Sequence, residues 1–249
     1  MIDLRICWPP SPTQWALGNG EIHVWAGSLQ PSAARTVAFA MILSRDETAR
    51  AARFRFDRDR NRFIAGRGLL RTILAHYVNG NPSRLKFDYG PKGKPSLSEC
   101  DQSHGVHFNL AHSDDLLLVA VARSWNIGID VERIRPFADT EGIAERFFSQ
   151  RECGGLRHLA DAQKLPAFFN LWTRKEAWLK ATGDGISDCL GQVEVSFLTG
   201  EPARLISLPG STEAVHNWTL RELVPAPGYV GALAAPADDI HLNCWRWPE

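Results

Sequence analysis

Four side chains in two short segments have the types and spacing to do chemistry on a phosphate. Gly128-Ile129-Asp130-Val131-Glu132 reads as a strand. Successive side chains then point to opposite faces, so Asp130 and Glu132 share one face and Ile129 and Val131 pack on the other. Two neighbouring carboxylates repel unless a cation or a proton lies between them. Oxygen ligands at that spacing suit Mg2+, which takes a few carboxylates together with phosphate oxygens and water. In Trp172-Thr173-Arg174-Lys175-Glu176-Ala177-Trp178-Leu179-Lys180, Glu176 and Lys180 stand four residues apart on one helix face. They would supply a third carboxylate and a cation for a phosphate. Taken singly, each pair is more often a polar strand edge or a surface ion pair, and spacing alone leaves both readings open.

Three further segments carry charge suited to a phosphate-rich ligand. Between Arg45 and Arg71 lie Arg50, Arg53, Arg55, Arg58, Arg60, Arg62 and Arg67, interleaved with Asp46, Glu47, Asp57 and Asp59. Arginine pairs with phosphate through two parallel hydrogen bonds, although such a run is commonly a solvated helix face with its own ion pairs. Lys92-Gly93-Lys94-Pro95 is a basic turn in which glycine allows close backbone approach. Phe108-Asn109-Leu110-Ala111-His112-Ser113 places His112 just after a strand, where a ring nitrogen can donate to a phosphate; a single histidine is more often structural.

The elements that must position these groups follow from periodicity and punctuation. Ile22–Ala26 alternates as a half-buried strand. Ser44 with Glu47, and Ser149 with Glu152, form capping boxes that open helices. A second helix is predicted from Asp59 to about Tyr77, and a helix over Glu141–Phe148. Pro166 is predicted to open a longer helix that stops before Gly183. Phe87–Tyr89, Val106–Leu110, Leu116–Ala122 and Ile127–Glu132 read as strands. So do Val193–Phe197, Ala203–Leu208, Trp218–Leu223, Val230–Ala234 and His241–Trp247. Each half of the chain is thus helices plus a small, largely antiparallel sheet, with no strict sequence repeat.

Bulk composition narrows the function classes. The 249 residues suffice for one large domain or two small ones. Lys and Arg total 28 against 28 Asp and Glu, so the molecule as a whole is not built for nucleic acid or an anionic membrane. The odd, scattered set Cys7, Cys100, Cys153, Cys189 and Cys244 lacks any C-x-x-C pair, which argues against a disulfide framework or zinc site and fits a reducing cytoplasm. Met1–Gly20 holds Pro9, Pro10 and Pro12 without a long apolar run, and no segment approaches membrane-spanning length.

Taken together and in order, the segments from about Ser44 to Phe197 resemble the 4'-phosphopantetheinyl transferases of the larger, surfactin-synthetase type. Gly128–Glu132 is similar to the family's G-x-D-x-E signature, and Trp172–Lys180 to its W-x-x-K-E-A-x-x-K signature. Phe108–Ser113 is similar to its F-N-x-S-H-S strand end. The basic helices, the Gly93-Lys94-Pro95 turn, Arg146-Phe147-Phe148-Ser149 before Glu152 and Pro227–Val230 agree. The resemblance implies an α+β fold of two similar halves forming an intramolecular pseudo-dimer, residues 1–123 with the basic helices and 124–249 with the metal motifs, and coenzyme A bound in the cleft between them. It implies that Asp130, Glu132 and Glu176 hold Mg2+ and that Lys180 neutralises the pyrophosphate. His112 would bond the phosphates, and Lys94, Arg50, Arg53 and Arg62 would hold the nucleotide end with its 3'-phosphate. The partners implied are coenzyme A and apo acyl or peptidyl carrier proteins, with no nucleic acid and no membrane, and a monomer. Glu176 is the expected base for the carrier serine, with Asp130 and Lys180 completing the catalytic set. One departure stands out: Ala111 occupies a position where the family commonly has serine, so a hydroxyl contact to coenzyme A is missing or replaced. Two rival readings are a metal nuclease, against which the neutral charge speaks, and a non-catalytic coenzyme A-binding module, which would be expected to break one of the four motif positions.

Overall fold

A computed structural model describes residues 8–13, 15–98, 105–123, 125–137, 139–183, 190–208 and 213–248. Cys7, Cys100 and Cys189 lie outside the described residues; Cys153 and Cys244 are free thiols. The strands are β1 (Glu21–Ser28), β2 (Phe87–Tyr89), β3 (Pro95–Leu97), β4 (Val106–Ser113), β5 (Leu116–Arg123), β6 (Gly128–Arg133), β7 (Glu194–Val195), β8 (Leu205–Ser207), β9 (Thr219–Leu223), β10 (Tyr229–Ala235) and β11 (His241–Arg246). The helices are α1 (Ala33–Met41), α2 (Arg45–Ala51), α3 (Asp57–Tyr77), α4 (Thr140–Phe147), α5 (Gln150–His158) and α6 (Asp161–Thr182). The chain is α+β and divides into two compact units. Among the described residues no helix is long and apolar enough to cross a membrane.

One unit holds β1 to β5, α1 to α3 and β11, except that Asn109–Ala111 of β4 group with the other. Its sheet runs β11-β1-β5-β4. β5 is an apolar run with Leu117 to Ala122 all buried, as expected of a central strand. β11 was expected with the second half, in a largely antiparallel sheet. It returns instead to β1 and pairs in parallel, with Val24 opposite Cys244 and Trp25 opposite Trp245. The physical reason lies in the aromatic residues: Trp25 stands 4.9 Å from Trp245 and 5.8 Å from Trp247, and Trp15 packs 4.3 Å from Trp25. Beside them, Trp25 Nε1 donates to the Tyr77 hydroxyl at 2.9 Å, and that hydroxyl lies 2.7 Å from His23 Nδ1.

The capping box at Ser44 forms as expected, with Ser44 Oγ accepting from Glu47 N and Glu47 Oε2 accepting from Ser44 N. α1, which the sequence pattern did not announce, is capped by Ser32. β4 continues three residues past Leu110, so His112 lies within the strand rather than after it. Asp114 adopts a left-handed conformation (φ 48°) in the turn that leads to β5.

The second unit places α6 over a three-stranded antiparallel sheet of order β6-β10-β9. The Ser149 box opens α5 as expected. α6 starts at Asp161, five residues before Pro166, so Pro166 sits inside the helix rather than opening it. At the sixth helical position Pro166 lacks the N–H that would bond to the Ala162 carbonyl, so α6 runs through it with one helical hydrogen bond fewer. Gly183, with φ 83°, ends the helix left-handed, as expected.

Candidate functional site

The two acidic signatures interlock in the second unit, and a glycine is the reason. A Cβ on Gly128 would fall 1.9 Å from the carbonyl oxygen of Ala177 and 2.4 Å from Ala181 N. Only a residue without a side chain lets the backbone of α6 descend onto β6 at this point. Ala177 and Ala181, four residues apart, are the small residues that meet it. This close approach sets Glu176 and Lys180, which flank Ala177 and Ala181 in sequence, beside Asp130.

Lys180 Nζ donates to Asp130 Oδ1 at 2.6 Å. Asp130 is only 5% exposed and Glu176 8%. Asp130 Oδ2 and Glu176 Oε1 are both buried and have no hydrogen-bond partner. Burial pushes the Asp130 carboxyl up to about 6; Lys180 pulls it down and Glu176 pushes it further up. Burial also raises Glu176, with Lys180 lowering it and Glu132 raising it. Asp130 and Glu132 occupy alternate positions of β6, opposite Ala232 and Val230 of β10. Among the described residues no three His, Cys, Asp or Glu side chains stand close enough together to hold a metal ion as they are placed.

The residues between these groups in α6 are structural. Lys175, fully buried, donates to the Leu190 carbonyl at 2.9 Å and pairs with Glu152 Oε2 at 2.5 Å. Glu152 also caps α5 and accepts from Val195 N. Arg174 is bound to the Ser196 carbonyl and to Glu222 at 2.6 Å. The Lys and Arg of the signature thus tie α6 to its surroundings, a role that spacing did not reveal.

In the first unit, the basic stretch separates into groups with different roles. Arg50 and Arg53 line a cavity of about 680 Å³ together with Asp46, Phe54, Phe63 and Tyr89. Arg50 lies over the Phe63 ring at 5.4 Å. Lys94 sits at the end of the turn between β2 and β3, next to Pro95, which is paired with Tyr89 of the cavity wall. Burial pulls the Lys94 ammonium down to about 8. Arg62 is not among the lining residues; its Nε donates to Asp115 Oδ1 at 2.8 Å. Arg67 and Arg71 are buried on Glu47 and belong to the fold. His112 is exposed on β4, and Ala111 beside it is buried. One residue of the Phe108–Ser113 segment that sequence reasoning passed over takes a definite role: Asn109 Oδ1 accepts from Ile129 N at 2.8 Å.

Comparison with known proteins bears on both units. Residues 126–234 match the profile described as the 4'-phosphopantetheinyl transferase superfamily, and residues 27–124 match that of the 4'-phosphopantetheinyl transferase N-terminal region. The chain is 45% identical to 4'-phosphopantetheinyl transferase HetI of Nostoc sp., over 98% of its own length and 100% of that protein. It is 29% identical to a phosphopantetheinyl transferase of Thraustochytrium sp., over 86% of this chain and 76% of that one. It is 28% identical to 4'-phosphopantetheinyl transferase Sfp of Bacillus subtilis, over 81% and 85%.

Proposed function

The chain belongs to the 4'-phosphopantetheinyl transferase family, and from that premise we propose how its residues move the phosphopantetheine arm of coenzyme A onto a serine of an apo acyl or peptidyl carrier protein. The observation that carries the residue assignment is the pair of buried, unpartnered oxygens, Asp130 Oδ2 and Glu176 Oε1, beside Lys180. A buried carboxylate oxygen without a donor is costly unless a ligand completes it. A divalent cation fits that need, and an all-oxygen set with open positions suits Mg2+. Asp130, Glu132 and Glu176 would hold it, and when bound it neutralises charge on the pyrophosphate.

The protein's own groups do the rest. The carrier serine oxygen forms a bond to the β-phosphorus, and the bond from that phosphorus to adenosine 3',5'-bisphosphate breaks. Such transfers depend on positioning and charge neutralisation more than on covalent help. Lys180 supplies a positive charge at the pyrophosphate. Glu176 accepts the serine proton, directly or through water. Burial, ahead of the opposing pull of Lys180, raises the affinity of the Glu176 carboxyl for a proton, the direction a base needs. Arg50 and Arg53, on the cavity of the first unit, hold the nucleotide end with Lys94 and His112, and Arg62 joins them by exchanging its Asp115 partner for a phosphate. The aromatic lining supports this reading, because a purine stacks on such rings. The non-catalytic reading has no broken motif position to support it.

The finer organisation belongs to the same proposal. A division near Arg123 is supported by the two profile matches, which meet at residues 124 and 126. Two halves of one architecture, as in an intramolecular pseudo-dimer, are supported by helices beside a small sheet in each unit. A reducing cytoplasm agrees with the free thiols of Cys153 and Cys244, and the protein is taken to act as a monomer. The test is intact-protein mass spectrometry of apo carrier proteins incubated with this protein, coenzyme A and Mg2+, with an EDTA control. A gain of one phosphopantetheine that EDTA abolishes is expected. Coenzyme A binding with no modification of any carrier would overturn the reading.

A further inference from the structure

β6 carries Asp130 and Glu132, yet it is the edge strand of its sheet, paired to β10 on one side only. An edge strand presents backbone N–H groups with no ladder partner on its outer side. Period-two alternation makes register critical here: a slip of one residue would turn Ile129 and Val131 to the face that Asp130 and Glu132 occupy. On the outer side, the Ile129 N–H donates to Asn109 Oδ1 at 2.8 Å. Both groups are buried, Ile129 fully and Asn109 to within 4%. The bond falls on the residue between Gly128, where α6 sits against the strand, and Asp130 itself. Asn109 lies in a segment that otherwise contributes only His112 and the Ala111 departure to the reading above.

We propose that Asn109 is a positioning residue for the transfer reaction: its carboxamide oxygen pins β6 at Ile129 and so holds Asp130 and Glu132 in place for the divalent cation. This rests on the assignment of those carboxylates to the metal. The side-chain type is explained by the neighbourhood. The carboxamide is a short, neutral acceptor, whereas a carboxylate at the same position would add negative charge next to two residues that already repel each other. Groups that orient metal ligands without touching the metal commonly alter affinity by about tenfold to a hundredfold.

The test compares wild type, Asn109→Leu, which removes the acceptor at similar size, and Asn109→Asp, which keeps an oxygen in place. Three readouts are taken: hydrogen exchange at the Ile129 amide, direct Mn2+ binding to the free protein by electron paramagnetic resonance, and the KM values for coenzyme A and for metal. In the leucine variant, Ile129 exchange should quicken at least about tenfold as the protecting bond is lost. Mn2+ affinity should fall by about tenfold and the metal requirement rise in step, while KM for coenzyme A at saturating metal stays within about twofold of wild type. The aspartate variant should keep the amide protected. Asn109→Ser, too short to reach, replaces the leucine variant if that chain does not fold. Unchanged Ile129 exchange, or unchanged Mn2+ affinity with faster exchange, overturns the proposal. A wild-type protein that binds no Mn2+ and modifies no carrier overturns the underlying reading instead, a result distinct from equality among the variants.

Discussion

Two buried carboxylate clusters, one in each unit, meet their cations on opposite terms. In the first unit Glu47 is 3% exposed and both its oxygens are taken. Oε1 accepts from Arg67 Nε at 2.7 Å, and Oε2 from Arg71 Nε at 2.6 Å and from Ser44 N at 3.0 Å. The arginines are satisfied in turn: Arg71 reaches the carbonyls of Pro82 and Leu85, and Arg67 the Tyr89 hydroxyl. Burial alone would raise Glu47, but Arg71 and Arg67 outweigh it and the carboxyl ends below its ordinary range. In the second unit Asp130 is equally deep but shares one lysine, leaves Oδ2 unpartnered, and is pushed up to about 6. Charges that hold the fold are completed by the fold. Charges left incomplete, at the cost of stability in the ligand-free protein, mark where a ligand is to complete them.

The largest test of that contrast is chemical. Glu176→Gln should lower carrier modification by about a thousandfold with coenzyme A binding largely kept, measured by mass-spectrometric turnover and calorimetry. Full turnover with normal metal and coenzyme A binding would remove Glu176 as the base. The matching change in the other cluster acts on folding. Glu47→Gln should cost about 3–5 kcal/mol in urea denaturation, because two buried guanidiniums lose their charge partner. Asp130→Asn, by contrast, should leave the metal-free protein as stable as wild type or more so; equal losses from both substitutions would dissolve the distinction.

Acid sharpens the picture for the first unit. Burial holds His23 neutral, down to about 4. The unfolded chain takes up this proton near pH 6.5 and the folded protein does not, so stability should fall as pH drops from about 6.5 to about 4 and level off below. The contribution is up to about 3 kcal/mol. His23→Gln should flatten that part of the pH profile of unfolding free energy; an unchanged slope would show that another group carries it. Next in size, Arg50→Ala should raise KM for coenzyme A by about tenfold through loss of a charge-assisted contact, with kcat nearly unchanged. The smallest effect is expected from Ala111→Ser. Ala111 is buried beside exposed His112, and restored hydroxyl contact should improve coenzyme A affinity by no more than a few-fold.

Local rules written in short stretches of sequence were legible without coordinates. Both capping boxes, the left-handed stop at Gly183, the apolar run of β5 and the alternation of Asp130 and Glu132 depend on residues within a few positions of each other. The motif residues Asp130, Glu176 and Lys180 could be singled out from their order, and the structure sets Lys180 2.6 Å from Asp130 with Glu176 beside them. The arginines were not sorted. Arg50, Arg62, Arg67 and Arg71 look alike in sequence, and only their distant partners separate a cavity wall from an ion pair with Asp115 or a buried clasp on Glu47.

The sequence by itself therefore determined most element types, both capped helix starts, the stop at Gly183 and the identity of the chemical groups, since each follows from local sterics, periodicity or motif order; α1 and the start of α6 it did not. Tertiary structure alone decided that β11 returns to β1, that Gly128 admits α6 to the strand bearing Asp130, and that Asn109 completes the Ile129 amide. Those outcomes rest on close approach between segments 20 to 220 residues apart, where strand pairing, a missing Cβ and one hydrogen bond leave no periodic trace in the chain.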